Sequence, residues 1–360
     1  DYARRNDVDL IVHGGDLFTR SKLSPAIVDR AYEPLFEIAK AGIPIYIVPG
    51  NHERSRLPAH LYLAHENIHI FDQPKTYELK VGERTVALSG FPFARKVKEK
   101  FPDLLRQTGW EDVEADVQYL CTHQTFEGAQ VGPVDFTFRE GPDNIPPECV
   151  PEKFTAVLSG HIHRAQQLTQ TLAGEPLNVP VIYPGSIERT SVSERFEKKS
   201  FCLIRLRWEG KKLVQGIETQ PLPARPMVKV TVPVEDFPPD QVLVHIRSRL
   251  SLIKSDAVVR VELTGARAEQ IQGSISAANL RSCAPFGSQH RDGLTQEQRA
   301  EWDAHLRKAR ELERSGDYAA SLAEYELAAK IDDSYAELSF CIGTCMTALG
   351  KSEEARQHYS

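Results

Sequence analysis

The sequence predicts an α/β protein extended by a small α+β unit and an all-α tail. Three observations carry this. A strand–helix–strand pattern occupies residues 8–48, short apolar runs repeatedly end on a polar tip, and the last part repeats itself at 34 residues.

Taken in order, Ala3 to Asp7 reads as the end of a helix and Val8 to Val12 as a strand. Ser24-Pro25 is a helix start, a side-chain cap followed by proline where its missing N–H costs nothing. Ile27, Ala31, Leu35 and Ile38 keep the helical period, and Gly42 ends it. The run Ile43 to Val48 is a buried strand, so the first two strands form a parallel pair. Further strands are predicted at Tyr77–Val81, Thr85–Leu88, Val117–Cys121, Ala156–Leu158, Val179–Tyr183 and Phe201–Leu206. The prolines from Pro221 to Pro226 mark a boundary. Beyond it, strand Val228–Val232, helix Gln241–Leu250, strand Val258–Leu263 and helix Ala268–Leu280 make the α+β unit. In the tail Ala309, Gly316, Ser321 and Tyr325 recur as Gly343, Gly350, Ala355 and Tyr359. That spacing resembles tetratricopeptide repeats, one spanning Trp302–Tyr335 and an incomplete second spanning Ala336–Ser360. The expected domains are 1–222, 223–283 and 284–360.

At 360 residues the chain is long enough for two or three cores, and no apolar run reaches the length of a membrane span. Six cysteines without a Cys-x-x-Cys pair suggest reduced thiols and a cytoplasmic setting. Cys341 and Cys345 read as core packing on an apolar helix. Of the net charge of −6, residues from Ser282 onward carry −5, leaving a near-neutral remainder that can still hold a local phosphate track. Arg95, Lys96, Lys98, Lys100, Lys198 and Lys199 are the candidates, with an ordinary solvated face as the plainer reading.

Four strand tips carry chemistry: Gly15-Asp16-Leu17-Phe18, Gly50-Asn51-His52-Glu53, Thr122-His123-Gln124 and Gly160-His161-Ile162-His163. Ligands of open α/β sheets lie at strand ends, and tips offering Asp, Asn and His suit a two-metal centre. In this order the motifs resemble the calcineurin-like metallophosphoesterases. With Pro184-Gly185-Ser186-Ile187-Glu188-Arg189, the wider context over residues 1–281 resembles the SbcD-type DNA repair exonuclease subunit. The resemblance implies a four-layer α/β/β/α sandwich followed by a small cap domain. It implies that Asp16 bridges two ions, that Asn51, His123 and His161 complete the coordination of the second ion, and that His163 belongs to the first ion. His52 would contact the scissile phosphate and protonate the leaving oxygen, with Glu53 holding its ring. Manganese is the expected metal, with iron, zinc or magnesium compatible with the same donors. His13, His60, His65 and His69 read as structural or solvated, and Cys121 as core.

The family's opening Asp-x-His is not found upstream of Asp16, so a weak first metal site and little nuclease activity are expected of this chain, together with an uncovered sheet edge. The functional expectation is metal-dependent hydrolysis of DNA, with an SMC-like ATPase as partner, a homodimer through the nuclease domain, and no membrane. A phosphomonoesterase or cyclic-nucleotide phosphodiesterase of the same superfamily is the alternative. A third reading is a non-enzymatic adaptor whose repeat tail binds a peptide partner.

Overall fold

The computed structural model describes residues 2–18, 25–53, 57, 65–239, 241–254, 256–275, 279–280, 283, 296–331 and 336–351. It divides into two compact units, Asp1–Arg225 and Pro226–Ser360.

The first unit begins with a helical turn, α1 (Tyr2–Arg5), strand β1 (Ile11–His13), helix α2 (Pro25–Lys40), β2 (Ile45–Ile47) and β3 (Ile68–Ile70). The three strands pair in parallel in the order β1-β2-β3. The first strand starts three residues later than its apolar run, and the expected cap Ser24 lies outside the described residues.

A second sheet is built from β4 (Lys75–Val81), β5 (Arg84–Gly90), β6 (Val117–Thr122), β11 (Ala156–Ser159), β12 (Gln166–Gln170) and β13 (Pro176–Tyr183), with helix α3 (Val97–Gln107) inserted after β5. Between β6 and β11 lie four two-residue strands, β7 (Thr125–Phe126), β8 (Gln130–Val131), β9 (Phe136–Thr137) and β10 (Asn144–Ile145). The six strands run β12-β13-β11-β6-β5-β4, with the inner four parallel and the two outer strands antiparallel.

Period-two alternation stacks these parts. Ile45 and Ile47 of β2 pack with Val28, Tyr32 and Ala39 of α2. Tyr46 and Val48 point the other way, into a core shared with Leu88, Tyr119 and Cys121 of the second sheet. Leu120, Val157 and Val181 leave the far face of that sheet and meet Val97, Phe101 and Leu105 of α3. The layers therefore run helix, sheet, sheet, helix. Each fully buried aliphatic side chain in them contributes roughly 1.5–3 kcal/mol. A long hairpin, β14 (Lys199–Glu209) with β15 (Lys212–Leu222), adds Cys202, Ile204, Leu206 and Trp208 to the core between the sheets.

In the second unit β16 (Met227–Pro233) pairs in parallel with β17 (Val258–Thr264). Helices α4 (Val242–Leu250) and α5 (Ala268–Ser274) cover them through Val230, Val232, Ile246 and Ile271. The tail contains α6 (Gln296–Ser315), α7 (Tyr318–Ile331) and α8 (Ala336–Ala348), joined by Trp302, Leu306, Tyr325, Ile342 and Cys345. Small residues permit the close approach of α6 and α7, where the Ser321 hydroxyl donates to the Ala309 carbonyl at 2.8 Å. Ala355 and Tyr359 of the 34-residue correspondence lie outside the described residues. No helix among the described residues is long and apolar enough to cross a membrane.

Candidate metal centre

The C-terminal ends of β1, β2, β6 and β11 deliver one donor each to a common point. Ligand atoms of Asp16, His123 and His161 lie within 4.8 Å of one another. Asn51 Oδ1 stands 3.0 Å from His123 Nε2 and 2.9 Å from His161 Nδ1, and the two ring nitrogens are 3.2 Å apart. Asp16 Oδ2 is 3.3 Å from His123 Nε2.

Two features of the chain make this convergence possible. The tips touch through glycine: a Cβ on Gly50 would sit 2.2 Å from Asp16 Oδ1, and one on Gly160 would sit 1.9 Å from the Gly14 carbonyl oxygen. Asp16 and His161 themselves hold positive φ values of 54° and 76°. Such backbone costs energy for a non-glycine residue and persists only where the surroundings impose it, most often at functional sites.

The donor set fits a divalent cation. His123 Nδ1–H donates to the Gly14 carbonyl at 2.5 Å, which fixes the tautomer and leaves its Nε2 with a bare lone pair facing the cluster. While His123 is neutral, carboxylate, amide oxygen and imidazole lone pairs then face one another at hydrogen-bond distance, with at most His161 able to bring a proton. A cation among them relieves that opposition, and mixed N and O donors suit a first-row divalent metal.

The electrostatics agree. Burial, then the neighbouring His123, lower the His161 pKa to about 4, so its lone pair is available at neutral pH. Without a cation, a proton on His123 Nε2 can take its place: burial pushes the Asp16 carboxyl up, but the hydrogen bond and charge of protonated His123, with those of His52, outweigh it and hold the carboxyl below its usual range. Phe93 walls the cluster, its ring 5.8 Å from His161 and 6.1 Å from His123.

The remaining expected site residues stand around this cluster. His52 lies at the rim, its side chain 49% exposed, with Nε2 3.9 Å from Asp16 Oδ2 and its main-chain N–H donating to Asp16 Oδ1 at 3.1 Å. Glu53 does something other than the ring-holding expected of it. Its buried carboxylate accepts the main-chain N–H groups of Gly50 at 2.7 Å, Phe18 at 2.8 Å and Asp16 at 3.1 Å. It therefore pins the Asp16 loop against its own loop, because those unpaired donors face it across the strand ends. His163 turns Nδ1 to Glu194 Oε1 at 2.9 Å, a hydrogen bond that raises its pKa against the effect of burial.

Of the other histidines, His13 accepts from Gly15 N–H, and burial, followed by the charge of His123, lowers its pKa to about 4. His65 accepts from Asn67 N–H, His69 stacks on Tyr46, and His60 lies outside the described residues. Cys121 is fully buried, which pushes its thiol well above the usual range. All six cysteines are free thiols. Lys198 is exposed, but Lys199 is neither solvated nor placed on a phosphate track: its side chain is fully buried against Glu194 and Glu197. Lys98 is engaged by Glu127 and Glu140. Sequence reasoning missed Glu194 and Phe93 and read Lys199 as a surface charge; the Pro184–Arg189 stretch and the Lys198-Lys199 pair were the signals in this neighbourhood.

Residues 1–165 match the family model of calcineurin-like phosphoesterases. The DNA double-strand break repair protein Mre11 of Methanosarcina mazei is 29% identical over 266 residues, covering 72% of this chain and 39% of that protein. An uncharacterized metallophosphoesterase of Bacillus subtilis, YhaO, is 29% identical over 209 residues, covering 55% of this chain and 46% of its own length. The chain thus spans less than half the length of these curated relatives. Among solved structures, a putative 5'-nucleotidase from Staphylococcus aureus aligns over 59% of this chain and 44% of its own, at 16% identity and a TM-score of 0.31, too slight to bear on fold or substrate.

Proposed function

We propose that this protein hydrolyses DNA phosphodiesters with divalent metal, as an exonuclease or endonuclease of the SbcD kind, at the low rate expected of a site without Asp-x-His, through the residues that match the calcineurin-like phosphoesterases. The observation that carries the reading is the convergence of Asp16, Asn51, His123 and His161 on one point. The repair proteins among the relatives favour DNA over a small ester.

Asp16, Asn51, His123 and His161 would hold one ion, with Asp16 shared and His163 serving the other. Two bound divalent ions, manganese in our reading, supply Lewis acidity and a water acidic enough to attack at neutral pH. The chain's own groups do the rest. Half-exposed His52, at the rim beside Asp16, would contact the phosphate and give a proton to the leaving oxygen, a task suited to an imidazole. Glu53 keeps Asp16 in register by taking its N–H, and Phe93 keeps water from one side of the imidazoles.

The α+β unit is proposed as the cap domain that guides DNA, and α6–α8 as tetratricopeptide-like hairpins binding a peptide segment. An SMC-like ATPase and a second copy of the chain are the proposed partners of the nuclease domain. The test is cleavage of a labelled duplex end against hydrolysis of p-nitrophenyl phosphate, each with manganese and across a salt series. DNA cleavage whose affinity falls steeply with salt supports the proposal, because phosphate contacts release counterions. Hydrolysis of the small ester alone, insensitive to salt, would replace it with a phosphomonoesterase.

A further inference from the structure

Beside the metal cluster lies a buried charged network that the reaction as described does not use. The Lys199 ammonium, on a side chain with no exposure, donates to Glu194 Oε2 at 2.6 Å, Ser186 Oγ at 2.8 Å, Glu197 Oε2 at 3.2 Å and the His163 carbonyl at 3.3 Å. Glu194 Oε1 accepts from the Thr190 hydroxyl at 2.8 Å and faces His163 Nδ1 at 2.9 Å. Arg164 adds a second cation, its Nε 3.5 Å from Glu197 and its Nη1 2.6 Å from Asp135.

Burying an ammonium costs several kcal/mol of desolvation, and an apolar side chain of similar volume often serves stability as well. What the network does beyond packing is fix one residue at two points. The His163 carbonyl is held by Lys199 and by Ser186 N–H at 3.0 Å, and its ring is held by Glu194. Nε2 of the same ring has no hydrogen-bond partner among the described residues, and Nδ1 also lies 3.2 Å from the Thr190 hydroxyl, whose hydrogen goes to Glu194. Because Glu194 Oε1 already accepts from Thr190 and Oε2 accepts from Lys199, the carboxylate has only acceptor capacity to offer Nδ1.

We propose that Glu194 is a positioning residue: anchored by Lys199 and Thr190, it keeps the His163 proton on Nδ1 and so leaves the Nε2 lone pair free for a cation. The arrangement is that of a carboxylate orienting a metal-bound histidine, which typically governs 10–100-fold in metal affinity. The tautomer claim stands on these contacts alone, and its consequence for metal rests on the assignment of His163 proposed above.

Long-range proton–nitrogen NMR of the metal-free full chain, with labelled histidine at about pH 9 where imidazoles are neutral, reads the tautomer directly. His163 is identified by its loss in His163→Gln. The wild type is expected to carry the proton on Nδ1, and Glu194→Ala to shift it to Nε2, the tautomer a free imidazole favours. Glu194→Gln, which keeps the volume should the alanine variant fail to fold, is expected to give a mixture. A manganese titration should then show Glu194→Ala weakened about 10–100-fold. A wild-type proton on Nε2, or a tautomer unchanged in the folded variants, overturns the inference. If the tautomer shifts but His163→Gln binds manganese as the wild type does, the lock stands and the assignment of His163 as a ligand falls.

Discussion

Replacing Gly50 by alanine tests the whole site with one methyl group. The new Cβ would lie 2.2 Å from Asp16 Oδ1 and 2.7 Å from the Asp16 main-chain nitrogen. Contacts of Cβ below 3.0 Å are essentially never seen, so the carboxylate must retreat by at least about 0.8 Å. It cannot rotate away alone, because the main-chain nitrogen is also too near and Asp16 N–H is tied to Glu53 at 3.1 Å. Displacement on the scale of 1 Å at a reacting centre costs about 10²-fold. Gly50→Ala is therefore expected to lose about two decades in manganese affinity, read by calorimetry, and a similar factor in DNA cleavage, with its circular-dichroism spectrum retained. Wild-type affinity and cleavage in a folded Gly50→Ala protein would show that Asp16 is not a ligand, and the convergence argument would fail with it.

Glu53→Ala should cost on the order of 3 kcal/mol in denaturant unfolding, since three N–H donors, two of them buried, lose their acceptor and each buried orphan costs about 1–3 kcal/mol. His13 is neutral when folded, with a pKa lowered from 6.5 to about 4, so the unfolded chain takes up its proton first as pH falls. Its contribution is thus complete above pH 6.5 and is lost between there and about 4. After allowance for its partial exposure the loss is about 2 kcal/mol, and His13→Gln should flatten that part of a stability–pH curve. In the second unit, Ser321→Leu should destabilise by about 1–3 kcal/mol in urea, because Ser321 is completely buried against α6 with no room for three more carbons. Chelator treatment should abolish cleavage, and returning manganese should restore it.

How far the sequence reaches can be judged from particular residues. Apolar runs between glycine-rich tips located β2, β6 and β11 well, yet Ile45-Tyr46-Ile47-Val48 gives no alternation to read, because both faces of that strand are buried. Which of Ile45 and Tyr46 meets α2 became visible only once the layers were in place. Strand β15 escaped because its polar stretch, interrupted by Gly216 and Pro221, takes its extended form from pairing with β14. Lys199 read as a solvated charge because lysine is almost never fully buried unless paired, and its partners meet it only through the turn Val192–Glu194. Glu53 reads as a partner of the neighbouring His52 because adjacency in sequence is easily mistaken for contact. Its acceptors in fact face N–H groups as far as 37 residues away.

The same distinction explains why the donor residues were legible and their assembly was not. Each tip can be identified alone, since an apolar run ends on a polar residue, with a glycine beside it at three of the four tips (Gly15, Gly50 and Gly160). But β1 and β2 belong to one sheet, β6 and β11 to another, and nothing local says which. The cluster forms where the two stacked sheets bring these ends together, and the contact is made by main chain on main chain: Gly14 against Gly160, with no space for a Cβ on either. A side chain at that seam would part the sheets' ends and separate Asp16 and Asn51 from His123 and His161. The glycines of Gly14-Gly15-Asp16 and Gly160-His161 are thus as much a condition of the chemistry as the donors beside them, and Gly160→Ala should separate the four donors while leaving the strands paired.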